Sequence, residues 1–303
     1  MTSVTEAADL RGSARYTWGG DEFLFVEIAE AMSLAANFKA SSIATRLSAQ
    51  NLAGLSDICP SNASLLIRFD PDVIDHADLE KTVRALEVEV DRTVHPILHT
   101  RLIEVPVWYG DPYTKETVAR FRSSHQRPEG TDLDFAAEAN ELQDAAEFIR
   151  RHHSSPWLVS MVGFVAGLPF MFQMVSQDKQ LEVPKYPRPR TDTPALTVGH
   201  GGCFACIYSV RGAGGYQMFG IAAAPIFDPA QSLKDFTEFM IFFKPGDIVK
   251  FRSIDEAEYM NIKDQVKDGS YVYKQVPVTF DLVEALSDPE SYNEKLLEQL
   301  DGV

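Results

Sequence analysis

The side chains able to do chemistry concentrate in residues 183–220, VPKYPRPRTDTPALTVGHGGCFACIYSVRGAGGYQMFG, which hold four prolines, seven glycines, one histidine and two of the three cysteines. His200, Cys203 and Cys206 make H-x-x-C-x-x-C, and imidazole and thiolate are zinc donors. No second C-x-x-C follows, and Cys59 is distant in sequence. On a strand, residues three apart point to opposite faces, so the spacing favours two small buried hydrophobes over a metal or redox site, and no metal is expected. Arg188 and Arg190 stand among prolines, which fix the loop and reduce the entropy lost when a guanidinium grips an anion. A solvated arginine pair beside a surface acid explains them equally well. KYPRPR (185–190) is the only dense basic run, enough for one carboxylate or phosphate. His152-His153 ends an acidic helical pattern, either as a general base near neutral pH or as histidines interacting with a helix C-terminus. The glycine clusters 199–202 and 212–215 lack the strand, helix and acidic partner of a dinucleotide fingerprint. Close approach of bare backbone to a ligand, or tight barrel turns, fits them better. No G-x-S-x-G nucleophile elbow is present.

The elements that must position these groups can be read from periodicity. RYTWGGDEFLFVEI (15–28) is two apolar runs around Gly19-Gly20-Asp21, a hairpin signal. Residues 34–50 and 76–94 repeat apolar positions at helical spacing, Cys59-Pro60 breaks the chain, and 63–70 and 101–110 read as strands. Residues 15–108 therefore predict a small α/β domain, two helices on a mainly antiparallel sheet. Residues 109–155 read as a helical linker with helices at 114–124 and 132–153. From 156 to 280 the helical period is lost and strand-like pieces recur: WLVSMVGF, PFMFQMV, ALTV, CIYSV, YQMFGIA, EFMIFF, DIVKFRSI and YVYKQVPVTF. Short strands with Gly/Pro turns predict a β-barrel or sandwich, giving an α+β chain overall. A helix over 281–299 closes the chain, and residues 1–14 form a polar, frayed tail.

Composition excludes some classes of function. The 303 residues carry 44 acids against 28 bases, a formal charge of −16, so nucleic acid and anionic membrane are not expected partners. Three cysteines make no secreted disulfide framework, and the N-terminus has neither the basic nor the apolar region of a signal peptide, so the cytoplasm is expected. The run 156–175 has no formal charge over twenty residues, but its prolines and the GFVAGLP turn at its middle read as two buried strands around a bend.

The ordered punctuation of the whole chain resembles the allophanate hydrolase subunit 1 family. That family includes the B subunit of prokaryotic 5-oxoprolinase, the KipI-type kinase inhibitor, and the corresponding half of the urea carboxylase carboxyltransferase domain. The matching residues include Gly20-Asp21, Glu104 to Val107, Tyr109-Gly110, His152, Gly163-Phe164, Gly167, Pro189-Arg190, Pro194-Ala195, Val198-Gly199, Gly202, Ile207-Tyr208, Gly214-Gly215, Gly220 and Phe227-Asp228-Pro229. The resemblance implies a cyclophilin-like barrel as the C-terminal domain and a partner from the subunit 2 family (KipA-like). It also implies an active site shared with that partner and chemistry on small amide- or urea-like substrates. Cofactors, ATP or biotin, would sit on the partner rather than on this chain. The site residues expected on this basis are His152 for proton transfer, and Arg190, Gly163, Phe164, Gly202, Tyr208, Gly214 and Gly215 for substrate binding. The departures are Phe204, Ala205 and Cys206 where the family usually has Gln-Thr-Gly, Ala213 to Tyr216 where it has Pro-Gly-Gly-Trp, and Ala166 and Leu168 at the Pro and the last Phe of its Gly-Phe-x-Pro-Gly-Phe. A more apolar pocket follows. A second function is implied by the KipI-type member, a non-catalytic protein that binds and inhibits a histidine kinase.

Overall fold

The computed structural model describes residues 14–302, and the polar tail expected over 1–14 lies outside them except for Ala14. Ala14 is buried, its N–H donating to Glu87 Oε1 at 2.7 Å. The described chain divides into two compact units, one of residues up to 98 with 279–288, the other of residues 99–278 with those from 289 onward.

The first unit opens with the expected hairpin, β1 (Arg15–Gly19) and β2 (Phe23–Glu27), followed by α1 (Leu34–Ala49), β3 (Leu55–Ser61), β4 (Ser64–Phe69) and α2 (His76–Asp91). Its sheet is antiparallel in the order β1-β2-β4-β3. Alternation drives Leu24, Val26, Leu65, Ile67 and Phe69 to one face, where Ala40, Ile43 and Leu47 of α1 and Leu79, Val83 and Leu86 of α2 cover them. Cys59-Pro60, read from sequence as a break, instead lies inside β3. An edge strand can accommodate a proline because it has a side with no ladder to donate to.

The second unit starts with a correction. The strand expected at the end of the first domain, β5 (Ile97–Tyr109), runs parallel beside β13 (Ile248–Ser253) in the larger sheet, so the boundary expected at 108 falls at 98. Between them come α3 (Pro112–Phe121), α4 (Asp132–Ala139), α5 (Ala145–Ser154), β6 (Pro156–Val162), β7 (Pro169–Gln173), β8 (Arg190–Thr193), β9 (Thr197–Gly201), β10 (Phe204–Ile207), β11 (Gly212–Gly214) and β12 (Gln217–Ala222). After β13 follow α6 (Glu256–Asp268), β14 (Gln275–Asp281), α7 (Leu282–Ser287) and α8 (Pro289–Asp301). Strands β12-β9-β10-β7-β6-β13-β5 close on themselves through β12–β5 pairing, a seven-stranded barrel, with β14 appended to β5. Val105, Val107, Trp157, Val159, Met171, Val198, Ala205, Ile207 and Phe251 fill its core. The uncharged run 156–175 is β6 and β7 around a turn, as expected, and no described helix is long and apolar enough to cross a membrane.

The remaining differences have local causes. The stretch expected as a linker packs onto the barrel: Leu133, Ala136, Ala137 and Phe148 bury with Leu181, Val183 and Phe219. The single helix expected over 132–153 is two, because Glu141 takes φ +55° and Asp144 caps a new start by accepting from Glu147 N at 2.7 Å. The helix expected over 281–299 is split at Asp288, since the residue before a proline is pushed out of the helical region. EFMIFF (238–243) makes only the bridge Phe227↔Ile241. Helix α6 was not expected, although Asp255 at its start and Gly269 at φ +80° just past its end are ordinary helix punctuation.

Candidate functional site

Residues alternate along β10, so Ala205 and Ile207 enter the barrel core while Cys206 and Tyr208 face the other way into a second cluster with Leu168 and Tyr216. A two-stranded ribbon of β8 and β11 lies in this part of the unit, with Gly214 opposite Arg190. Arg190 is only 1 % exposed. Its Nε donates to Thr193 Oγ1 at 3.3 Å, and its guanidinium lies over the Tyr186 ring, 4.5 Å from the centroid. Neither terminal nitrogen makes a hydrogen bond of ordinary geometry, although the Tyr208 hydroxyl lies close enough to the guanidinium to interact with it. Beside them the Tyr208 hydroxyl is held well above its ordinary pKa by burial, with the nearby Cys206 adding to the rise and the Arg190 charge opposing it. Burial likewise raises the Cys206 thiol, so it is neutral near pH 7. Gly214 is required by distance: a Cβ there would lie 2.3 Å from the Tyr208 oxygen.

Behind Arg190 stands a buried polar network. Tyr186 donates its hydroxyl to Asp132 at 2.8 Å, and Asp132 also accepts from Arg122 Nη1 at 3.1 Å and from Met218 N at 2.9 Å. His125 Nε2 donates to Gln217 Oε1 at 2.9 Å, while its Nδ1 accepts from Arg127 N. Asp132 reaches this point because Thr131 and Asp134 form a reciprocal capping box that starts α4 there. Sequence reading missed Tyr186, Asp132 and Arg122. Tyr186 sits inside the basic KYPRPR run already singled out, and a capping box ahead of an apolar run is a readable signal for the start of α4.

Of the residues expected at the site, the structure brings Arg190, Tyr208 and Gly214 together, with Gly215 against Pro189. Gly163 and Phe164 lie on the β6–β7 turn, which reaches the Tyr208–Tyr216 cluster through Val165 and Leu168. Phe164 itself is 74 % exposed at φ +69°. Gly202 is on the β9–β10 turn, and its N–H is already given to Val183 O at 2.7 Å, so that amide is not free for the substrate binding expected of it. His152 is fully buried against Phe251, Trp157 and Phe148, with Nδ1 2.8 Å from the Tyr109 hydroxyl. Burial, with His200 nearby, holds its pKa well below the ordinary value. The expected general base is thus a neutral core imidazole without access to solvent. His200 faces the same aromatic cluster, Nε2 donating toward Leu181 O and Gly202 O, and burial lowers its pKa to about 4. Register pairs His200 with Ala205, which places it on the opposite face from Cys206. Among the described residues no group of three His, Cys, Asp or Glu side chains is arranged to hold a metal ion.

The family model for the carboxyltransferase domain, subdomain C and D, matches residues 14–237. The chain belongs to this family. Proteins similar to this carboxyltransferase-domain chain include the 5-oxoprolinase B subunit of Bacillus subtilis (strain 168), 25 % identical over 254 residues that cover 81 % of the chain and 95 % of the relative. Urea amidolyase of Lachancea kluyveri is 24 % identical over 93 % of the chain, which spans only 16 % of that protein. The crystal structure of the K. lactis urea amidolyase superimposes with a TM-score of 0.82 over 97 % of the chain and 18 % of its own length, at 22 % identity. That of the Kluyveromyces lactis urea carboxylase gives 0.80 over 95 % of the chain and 26 % of its own length, also at 22 % identity. At such identity these two structures establish the shared fold.

Proposed function

We propose that this carboxyltransferase-family chain is a non-autonomous subunit of a heteromeric enzyme acting on a small amide- or urea-like substrate. The reaction would be ATP-dependent ring opening of the 5-oxoprolinase kind or carboxyl transfer of the urea carboxylase kind, with the active site completed by a subunit 2 (KipA-like) partner. The observation that carries the reading is the buried guanidinium of Arg190, whose two terminal nitrogens make no hydrogen bond of ordinary geometry and no ion pair, in a chain of this family. A polar group buried without a partner costs stability, and where it persists it points to a ligand. Arg190 grips the substrate, and backbone N–H groups around Gly214 and Gly215 donate to its carbonyl oxygen. His152 takes no part in contact, since its ring is sealed in the aromatic core. ATP or biotin belongs to the partner, consistent with glycine clusters here that lack a nucleotide fingerprint.

The test is co-expression with a neighbouring subunit 2 protein, followed by assay of 5-oxoproline hydrolysis with ATP and of biotin-dependent carboxylation of urea-like amides. One of the two activities is expected, and Arg190→Gln should lower kcat/KM by two orders of magnitude or more. A stable pair inactive in both assays would remove the catalytic reading.

A further inference from the structure

We infer that the Arg190 chamber is a site for a singly charged, planar carboxylate, held end-on by both terminal nitrogens of the guanidinium, with Tyr186 as its positioning residue. The inference deepens the proposed function and rests on this face being the ligand site, but not on which reaction follows. Three other inward cations of the chain meet acids: Lys39 pairs with Glu87 and Asp91, Arg122 with Asp132, and Arg101 with Asp247. Arg190, more buried than any of them, has none, although the chain carries 44 acidic residues against 28 basic. Acid is therefore not scarce; the one that approaches, Asp132, is held on the far side of the Tyr186 ring and pairs with Arg122 instead.

The geometry selects the class of anion. With Nε engaged by Thr193 Oγ1, the side edge of the guanidinium is taken and the paired Nη1/Nη2 edge remains. Two parallel N–H donors in one plane match the two oxygens of a carboxylate. The groups nearest the guanidinium, Tyr208, Cys206 and Thr193, are uncharged, and of the cations farther out Arg122 is paired with Asp132 and Lys185 lies over the Tyr216 ring. A phosphate with nearly two negative charges would be left half-compensated in a buried site, which is costly. Tyr186 fixes the plane: its ring lies under the guanidinium while its hydroxyl is tied to Asp132. Entry is through the ribbon, since β11 is three residues long, its register shifts between Gly212 and Gly214, and Ala213 is exposed.

Thermal stability of the full chain is to be measured against acetate, inorganic phosphate and chloride at matched ionic strength, for wild type, Arg190→Met, Arg190→Lys and Tyr186→Phe. Acetate should raise the wild-type Tm saturably, with no saturable rise in Arg190→Met and a half-saturation at least fivefold higher in Arg190→Lys and Tyr186→Phe. Phosphate and chloride should act equally on wild type and Arg190→Met. An acetate response identical in wild type and Arg190→Met, or a saturable phosphate response stronger than that to acetate, would overturn the site; circular dichroism of Arg190→Lys guards against a folding artefact. An inactive reconstituted pair with Arg190-dependent acetate binding defeats the reaction and leaves the carboxylate site. An active pair without that binding does the reverse.

Discussion

Arg190 sets function against stability at a single residue. An uncompensated buried charge is among the more expensive things a fold can hold, so replacing it by an apolar side chain of similar length relieves the cost. Arg190→Met is expected to stabilise the ligand-free chain by about 1–3 kcal/mol in urea unfolding while it abolishes activity of the complex. A destabilised Arg190→Met would mean that the guanidinium contributes packing that outweighs its charge. Gly214→Ala tests the opposite face of the same chamber. Its methyl group would drive into the Tyr208 oxygen, and because backbone is on one side and a buried phenol on the other, a loss of about 1–3 kcal/mol is expected, with weakened substrate binding. Substitution at Gly212, where an added Cβ meets nothing within 4 Å, is the matched control and should change little.

Among the elements, α4 ties local sequence to the site. Thr131 and Asp134 cap it reciprocally, and the residue between cap and helix body, Asp132, is the anchor for Tyr186. Thr131→Ala should cost about 1 kcal/mol by loss of the cap and should also raise KM, because the Asp132–Tyr186–Arg190 stack loses its base. A stability loss without a KM change would detach the helix from the site. The same element shows why the sequence was only partly legible. Hairpin β1–β2, helices α1 and α2, and the β6–β7 pair announce themselves by period and by glycine or proline. What was missed was decided by competition or by neighbours: Asp144 restarts a helix that apolar period alone would continue, and EFMIFF has strand composition but only one bridge to pair with. The juxtaposition of Arg190, Tyr208 and Gly214 was legible because ordered family punctuation marks them. The burial that disqualifies His152 was not, since a histidine at a helix C-terminus reads alike whether it faces solvent or an aromatic core.

For the molecule as a whole, two of the buried imidazoles set a pH limit. His200 has its pKa lowered to about 4 and His152 is lowered well below the ordinary value, both chiefly by burial. The folded state keeps them neutral while the unfolded chain takes up protons below about pH 6.5, so their contribution is complete above that pH. It is lost as the pH falls from about 6.5 through 4, at roughly 1 kcal/mol per pH unit per histidine. Urea midpoints measured between pH 7 and 4 should fall accordingly, and His200→Gln, whose amide can still donate to Leu181 O, should flatten the slope by about half. An unchanged slope would place the acid sensitivity elsewhere.

The order of the chain adds a constraint of a different kind. The first unit includes residues 279–288, whose Phe280 ring packs on Phe38 and whose Leu282 N–H donates to Pro96 O. Those residues follow the whole barrel in sequence. On the ribosome, the sheet of the first unit and its two covering helices must therefore wait for residues 279–288 before their core is sealed, and the barrel can mature first although most of it is made second. A nascent chain stopped just before Thr279 should expose the Phe38 surface to holdase chaperones, and release of that binding should coincide with the arrival of α7.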